Sequence, residues 1–482
     1  MQINRIFDFL GPTGFIPNGI NYNFTSDLWD NNFYIDNHYI NTIAKKYLQI
    51  SVYDCFLNIG DYCIRDYHIS NFRYDDETNT IGIPTENYYY TIAPFGNVLV
   101  STGQDFTYHQ NKHTFDFISS KAKKFLNAKN FYLIFDYSSE GDIKPELFDN
   151  IHEACEKNNI NPSKVLIITA AANTTQLYHD NYVKNNNPTS LLKTTCYPWA
   201  VFAKSKETSE LLKGNSERHF NGHTNINSIT KLRDLPKLKN REKKALMLNR
   251  RLRPHRLIIL SLLQNDKLLD DTISSFDMGE MLYTPNAGLD LVSGGGYDNN
   301  PYVLDQTYKN KMSTGFHNLT KIKKRVVDYE DFESIWGFAF ETKDIYEKTY
   351  FSIVPETLFY EIGVYISEKA LKPIAHLHPF VMVGRPGILK TLKRIGFKTF
   401  SDFWDESYDE IENNSDRIIA VYEIIKKLIL LTNEEWDEML EKMIHILEYN
   451  RNHLLKYNHK YVANMYMKNL NKIINGESVD LL

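Results

Sequence analysis

Apolar and polar positions alternate with two different rhythms along this chain, and the change of rhythm divides it. Up to about residue 125 the pattern is aromatic-rich and irregular, with short strand-like pieces at 49–56 and 97–101 and a helical spacing over 37–47. From Phe115 onward the spacing predicts helix 116–127, strand 130–136, helix 144–158 and strand 164–169, the βαβ rhythm of a parallel sheet covered by helices. A polar stretch rich in Lys, Asn, Ser and Thr covers 205–241, and its end reads as the connection to a second domain. The alternation then restarts with strand 245–248, helix 254–264 and strand 272–276, followed by a glycine- and asparagine-rich loop or insertion over 291–308. Strand 350–354 opens the most patterned segment, and the chain ends in helical spacing over 416–431 and 433–472.

That patterned segment, 351–387, reads FSIVPETLFYEIGVYISEKALKPIAHLHPFVMVGRPG. The apolar run stops at Pro355-Glu356-Thr357, Ser367 stands as an N-cap before Glu368-Lys369-Ala370-Leu371, and a second apolar run, 379–383, closes on a glycine turn. Strand, loop, helix, strand places chemistry at the strand ends and the helix start. Free N–H groups at a helix start favour an anion, Lys369 adds a point charge, and the Glu368 carboxylate suits a ribose diol. An ordinary charged first turn is the plainer reading of those two residues alone. A second cluster, Asn249-Arg250-Arg251-Leu252-Arg253-Pro254-His255-Arg256, lies at a strand-to-helix turn. Four arginines there either face solvent or meet anions, and planar guanidinium groups match a diphosphate. Arg251 and Arg256 are equally suited to structural ion pairs.

The two segments together resemble a known family. Pro355-Glu356-Thr357, Ile366-Ser367-Glu368-Lys369, the KPI and HPF triplets, and Gly396–Phe400 followed by Asp402 and Trp404-Asp405-Glu406-Ser407-Tyr408-Asp409 resemble the donor-site signature of alpha-1,3-fucosyltransferase-like (family 10-like) glycosyltransferases of bacteria and viruses. The arginine-rich turn matches that pattern as well. The resemblance covers about residues 244–411 and is poor in the first half. It implies an α/β fold of two Rossmann-like domains, the GT-B architecture, with a helical C-terminal segment. The expected division is 1–240 for an acceptor-side domain, 241–449 for the donor domain and 450–482 for a terminal helix, which either packs back on the first domain or is simply structural. It further implies sugar transfer from a nucleotide-diphosphate sugar to an acceptor hydroxyl, metal-independent and with inversion. Asn249, Arg250, Arg253, Glu356, Ser367, Glu368 and Lys369 are then the donor-binding residues, Glu356 organising the site. A GDP-linked donor is what the named family implies.

Such a transfer needs a base for the acceptor hydroxyl. Glu140, in the loop Phe135-Asp136-Tyr137-Ser138-Ser139-Glu140-Gly141-Asp142 after a predicted strand, is the preferred candidate, with Asp136 and Asp142 as lesser ones. A polar turn is the plain alternative for that loop. No metal is expected. Asp328-Tyr329-Glu330 follows only a two-residue apolar run and more simply starts a helix, and Gly222 weakens any helix that would align His219 with His223. His376 and His378 are expected to pack or cap.

Composition narrows the classes. The 482 residues carry 42% hydrophobic and 24% charged side chains, ordinary for a globular protein of two or three domains. A net charge of −5 gives no basic footprint, so nucleic acid is disfavoured as a partner, and a DNA-glycosylating enzyme would need a local basic cleft. Four cysteines without CxxC spacing fit a reducing cytoplasm, where the chain is expected, and no run of about 20 apolar residues spans a membrane. The start lacks the layout of a signal peptide. No P-loop or G-x-S-x-G elbow is present. The expected partners are a nucleotide-sugar donor and a glycan or other hydroxyl acceptor. The competing class is a non-catalytic carbohydrate- or partner-binding protein on a degenerate glycosyltransferase scaffold.

Overall fold

Two parallel sheets organise the chain. The computed structural model describes residues 4–10, 14–16, 20–22, 88–94, 131–137, 143, 146–196, parts of 201–223, 229–249, 252–278, 304–325, 327, 343–360, 363–457 and 472. The chain divides into two compact units, one of 1–202 with 458–482 and one of 203–457. The polar stretch expected to link two domains therefore belongs to the second unit.

The first unit contains β1 (Asn4–Leu10), a small hairpin of β2 (Gly14–Ile16) and β3 (Ile20–Tyr22), β4 (Tyr88–Pro94), β5 (Phe131–Tyr137), helix α1 (Glu146–Lys157), β6 (Val165–Thr169), the short α2 (Thr174–Tyr178) and β7 (Lys193–Cys196). β6 is apolar at nearly every position and buried along its whole length, as a strand covered on both faces must be. Its sheet runs β1-β4-β5-β6-β7, every neighbour parallel. Two expectations change here. The region before residue 115 contributes two strands to this sheet, β1 and β4, and among the described residues the strand order follows chain order, without the reversal of a Rossmann sheet. The predicted strands at 49–56 and 97–101 and the helices at 37–47 and 116–127 lie outside the described residues.

The second unit contains a small hairpin of two-residue strands, β8 (Arg218–His219) against β9 (Gly222–His223). His219 and His223 thus stand on paired strands rather than on one helix. β10 (Lys243–Leu248), α3 (Pro254–Asn265), β11 (Thr272–Asp277), α4 (Gln306–Ile322), β12 (Lys324–Arg325), α5 (Lys343–Glu347), β13 (Thr349–Pro355), α6 (Glu368–Ala375), β14 (Phe380–Val383), α7 (Ile388–Arg394), α8 (Asn414–Leu430) and α9 (Asn433–Lys456) follow. α4 begins inside the stretch expected to be a loop. α9 runs unbroken through residue 450 to Lys456, with Tyr457 as its C-cap, and residues 458–471 of the helix expected to reach 472 lie outside the described residues. The sheet order is β12-β11-β10-β13-β14, parallel except for the edge strand β12. Strand order reverses between β10 and β13, which makes their carboxyl ends the topological switch point.

Caps fix the helix starts. Asp305 accepts N–H bonds from Thr307 and Tyr308 at 2.8 and 3.0 Å to begin α4, and Thr432 with Glu435 forms a capping box on α9. α9 is docked by Trp436, which is fully buried, lies face to face with Phe351 at 5.2 Å and donates from Nε1 to Leu428 O at 2.8 Å.

Candidate functional site

The carboxyl ends of β10 and β13 carry Asn249 and Glu356, and each strand leads toward a helix start. Proline at the first position of α3 suits its fixed φ, and Arg253 precedes it in extended backbone. The next two residues turn inward. His255 and Arg256 are buried, and both meet the end of β13. His255 Nε2 lies 2.9 Å from Glu356 O, while Arg256 Nη2 donates to Pro355 O at 3.2 Å and Glu356 O at 3.3 Å. A carbonyl only accepts, so Nε2 carries the proton of a neutral ring. Burial holds the His255 pKa well below the ordinary histidine value, and the Arg256 charge lowers it further. Burial also brings Arg256 down to about 10, with the Arg253 charge adding to that effect and Glu356 and Glu368 opposing it.

Glu356 is fully buried and acts as a brace. Its Oε1 accepts the Ser367 N–H at 3.2 Å, and its Oε2 accepts the Thr357 N–H at 3.2 Å and the Ser367 hydroxyl. Ser367 Oγ in turn accepts the Lys369 N–H at 3.2 Å, the N-cap bond of α6. One carboxylate thereby ties the end of β13 to the start of α6. Desolvation raises the Glu356 pKa, with the Lys369 charge and the Ser367 hydrogen bonds acting against it.

Lys369 Nζ donates to Glu368 Oε1 at 2.6 Å, to Thr357 Oγ1 at 3.0 Å and to Ser367 Oγ at 3.4 Å. The Glu368 side chain is 7% exposed and that of Lys369 27%. Glu368 is therefore held by a neighbouring cation rather than projecting into water.

Of the sequence-predicted donor residues, Arg253, Glu356, Ser367, Glu368 and Lys369 belong to the two segments joined at the switch point. Asn249 directly follows β10, 1% exposed, with its main-chain N–H on Ser275 Oγ at 2.9 Å. Arg250 and the proposed base Glu140 lie outside the described residues, as do Asp142 and the Asp328–Glu330 stretch. Asp136 stands near the end of β5. Among the described residues no group of three or more His, Cys, Asp or Glu is arranged to hold a metal ion, and no helix is long and apolar enough to cross a membrane. His378 is buried between Ser352 Oγ at 2.8 Å and Thr349 O at 2.7 Å, and His376 stacks on Tyr346 at 4.0 Å.

Sequence reasoning missed Arg417. It is 1% exposed and donates to Gly384 O at 3.1 Å, Phe359 O at 2.9 Å, Ile411 O at 2.7 Å and Glu412 O at 3.0 Å. Its guanidinium lies 4.4 Å from the centre of the Phe359 ring, which also stacks on His255 at 5.0 Å and meets Tyr360 edge-on at 5.3 Å. An arginine inside an apolar helix period was the available signal. The WDESYD stretch proves to be a fold clasp. Glu406 accepts from Thr399 Oγ1 at 2.6 Å and Phe400 N at 2.8 Å, and Asp409 caps α7 through the N–H groups of Leu389 and Lys390 at 3.0 Å each.

No family model and no curated protein matches the chain. Among solved structures it is similar to a trehalose-6-phosphate synthase, OtsA, at 12% identity over 82% of this chain and 74% of that one, with a TM-score of 0.35. That likeness is too distant to bear on function.

Proposed function

We propose that the chain is a metal-independent GT-B glycosyltransferase that moves a sugar from a nucleotide-diphosphate sugar to an acceptor hydroxyl with inversion. The observation that carries this reading is the meeting of the α3 and α6 starts at the ends of β10 and β13. It brings two cation-bearing segments, separated by more than 100 residues, to the place where the order of the described strands reverses.

Departure of a nucleoside diphosphate leaves negative charge that must be met as the glycosidic bond breaks. Arg253, Arg250 and Lys369 supply it, with the N–H groups at the start of α6. Lys369 exchanges its bond to Glu368 for one to phosphate, and the released Glu368 carboxylate accepts the ribose hydroxyls. Glu356 and Ser367 hold that helix start in place. Glu140 takes the proton of the acceptor hydroxyl as its oxygen attacks the anomeric carbon from the face opposite the leaving group.

The test is calorimetry of the full chain against GDP, UDP, ADP, CDP and dTDP, followed by NMR of the corresponding nucleotide sugars. Binding of one diphosphate, with release of sugar or its transfer in the inverted configuration, is expected. Absence of all diphosphate binding overturns the reading. Binding without turnover, unchanged in Glu140→Gln, assigns the chain instead to the non-catalytic class.

A further inference from the structure

Among the described residues the buried side chain of Asn249 has no hydrogen-bonding partner. Neither Oδ1 nor Nδ2 has one, although the residue is 1% exposed. Burying a carboxamide unmatched costs stability, and a leucine of nearly the same shape would avoid the cost. The residue stands at the carboxyl end of β10, beside the strand-order reversal where open α/β sheets bind ligands.

The chemistry of the amide limits what would satisfy it. It offers one acceptor and two donor hydrogens. Phosphate oxygens only accept, so a diphosphate would leave Oδ1 bare. A hydroxyl, or the edge of a cyclic amide, meets both ends. His255 points to the same class of ligand. Its Nε2 is committed as a donor to Glu356 O, so the ring presents Nδ1 as a bare acceptor, and that atom too is buried without a partner. Two buried acceptors on one strand-turn-helix ask for a hydrogen-bond donor, which a phosphate cannot be.

We propose that Asn249 reads a neutral group of the donor that both donates and accepts hydrogen bonds, a hydroxyl or the amide edge of the base, and takes no part in holding the diphosphate. The inference rests on the donor-site reading above. It divides the site into a cationic part from Arg253 and Lys369 and a neutral specificity part from Asn249.

The experiment compares the wild-type full chain with Asn249→Leu and the smaller Asn249→Ser. Each is melted without ligand and titrated with GDP, UDP, inorganic pyrophosphate and the corresponding nucleotide sugars. Asn249→Leu is expected to melt at or above the wild-type temperature, because an unmatched polar group has been removed. Its affinity for the preferred nucleoside diphosphate or nucleotide sugar falls about ten- to a hundredfold, while pyrophosphate binds unchanged. A loss confined to one base identifies the base edge, an equal loss for both bases a ribose hydroxyl, and a loss seen only with the sugar attached a sugar hydroxyl. Undiminished nucleotide binding in both variants overturns the inference and leaves the donor site standing. A lower melting temperature with parallel weakening of pyrophosphate in both also overturns it, in favour of a structural role. Failure of the wild type to bind any nucleotide overturns the donor-site reading itself.

Discussion

The imidazole Nε2 of His255 lies 2.9 Å from the main-chain oxygen of Glu356, so the start of α3 is bolted to the end of β13 by a ring that must stay neutral. His378 makes a comparable bond to Thr349 O at 2.7 Å, and burial brings its pKa down to about 3. An unfolded chain protonates both rings near pH 6.5, whereas the folded chain refuses the protons. Stability conferred by the neutral rings is therefore complete above that pH and is lost as pH falls toward the folded values. Each ring contributes a slope of about 1.4 kcal/mol per pH unit in that window. Denaturation of wild type and His378→Gln between pH 7.5 and 5 is expected to show the shallower slope in the variant. Parallel slopes would contradict it.

Glu356 accepts three hydrogens with two oxygens, and this count decides what its replacement does. In Glu356→Gln one oxygen becomes an NH2 group that must face a main-chain N–H of Thr357 or Ser367. An unmatched buried donor costs about 1–3 kcal/mol. The loosened cap of α6 should also weaken binding of the preferred nucleoside diphosphate about tenfold, a positioning effect. Ser367→Ala, which keeps the carboxylate and removes only the hydroxyl, is expected to fall between wild type and Glu356→Gln in both denaturation and calorimetry.

Glu368 and Lys369 form an ion pair at 2.6 Å, and the two are assigned opposite parts of the ligand. Removing the acid should help a bare anion and harm a nucleoside. Glu368→Gln is expected to bind inorganic pyrophosphate at least as tightly as wild type and a nucleoside diphosphate about tenfold more weakly, since the repulsive charge and the ribose acceptor go together. Lys369→Met should weaken both. Calorimetry with the two probes separates these outcomes, and equal losses in Glu368→Gln would remove its ribose role.

Arg417 ties α8 to the main-chain oxygens of Gly384 and Phe359 from a buried position. Arg417→Ala removes those donors and withdraws the cation from the Phe359 ring. About 3–5 kcal/mol of stability should be lost, and Arg417→Lys should recover only part, because an ammonium group cannot reproduce the planar fork. Chemical denaturation measures both variants.

How much of this was legible in the sequence depends on the range of the forces involved. The end of β13, the Ser367 cap and the apolar face of α8 follow from local spacing and were read from it. β1 and β4 were not, because short parallel strands gain their stability from partners far along the chain, and their residues carry no alternation. The arginine-rich turn was recognised, yet which of its members turn inward was not. Sequence places His255 and Arg256 beside Arg253 equally, and only the register of β10 against β13 puts Glu356 O within their reach. The pairing of Glu368 with Lys369, and the partnerless Asn249, likewise depend on loops that spacing does not describe.

Helix α4 is the element whose absence from the sequence reading has the clearest physical cause, and it yields the sharpest steric test. Its buried face is Met312, Gly315 and Leu319, so a glycine fills the position where an apolar side chain would have signalled the period. The glycine is there because α3 passes close by. A Cβ at residue 315 would stand 1.8 Å from the main-chain oxygen of Ser261, which cannot rotate away. Gly→Ala in a helix interior ordinarily gains up to about 1 kcal/mol. Here the helices must separate, which costs about 1–3 kcal/mol or more, and sterics win. Gly315→Ala should therefore destabilise the second unit, whereas Ser313→Ala, on the exposed face of the same helix, should leave it unchanged or slightly more stable. Thermal melts of the two single variants provide the comparison. A Gly315→Ala protein as stable as Ser313→Ala would mean that α3 and α4 do not approach so closely in solution.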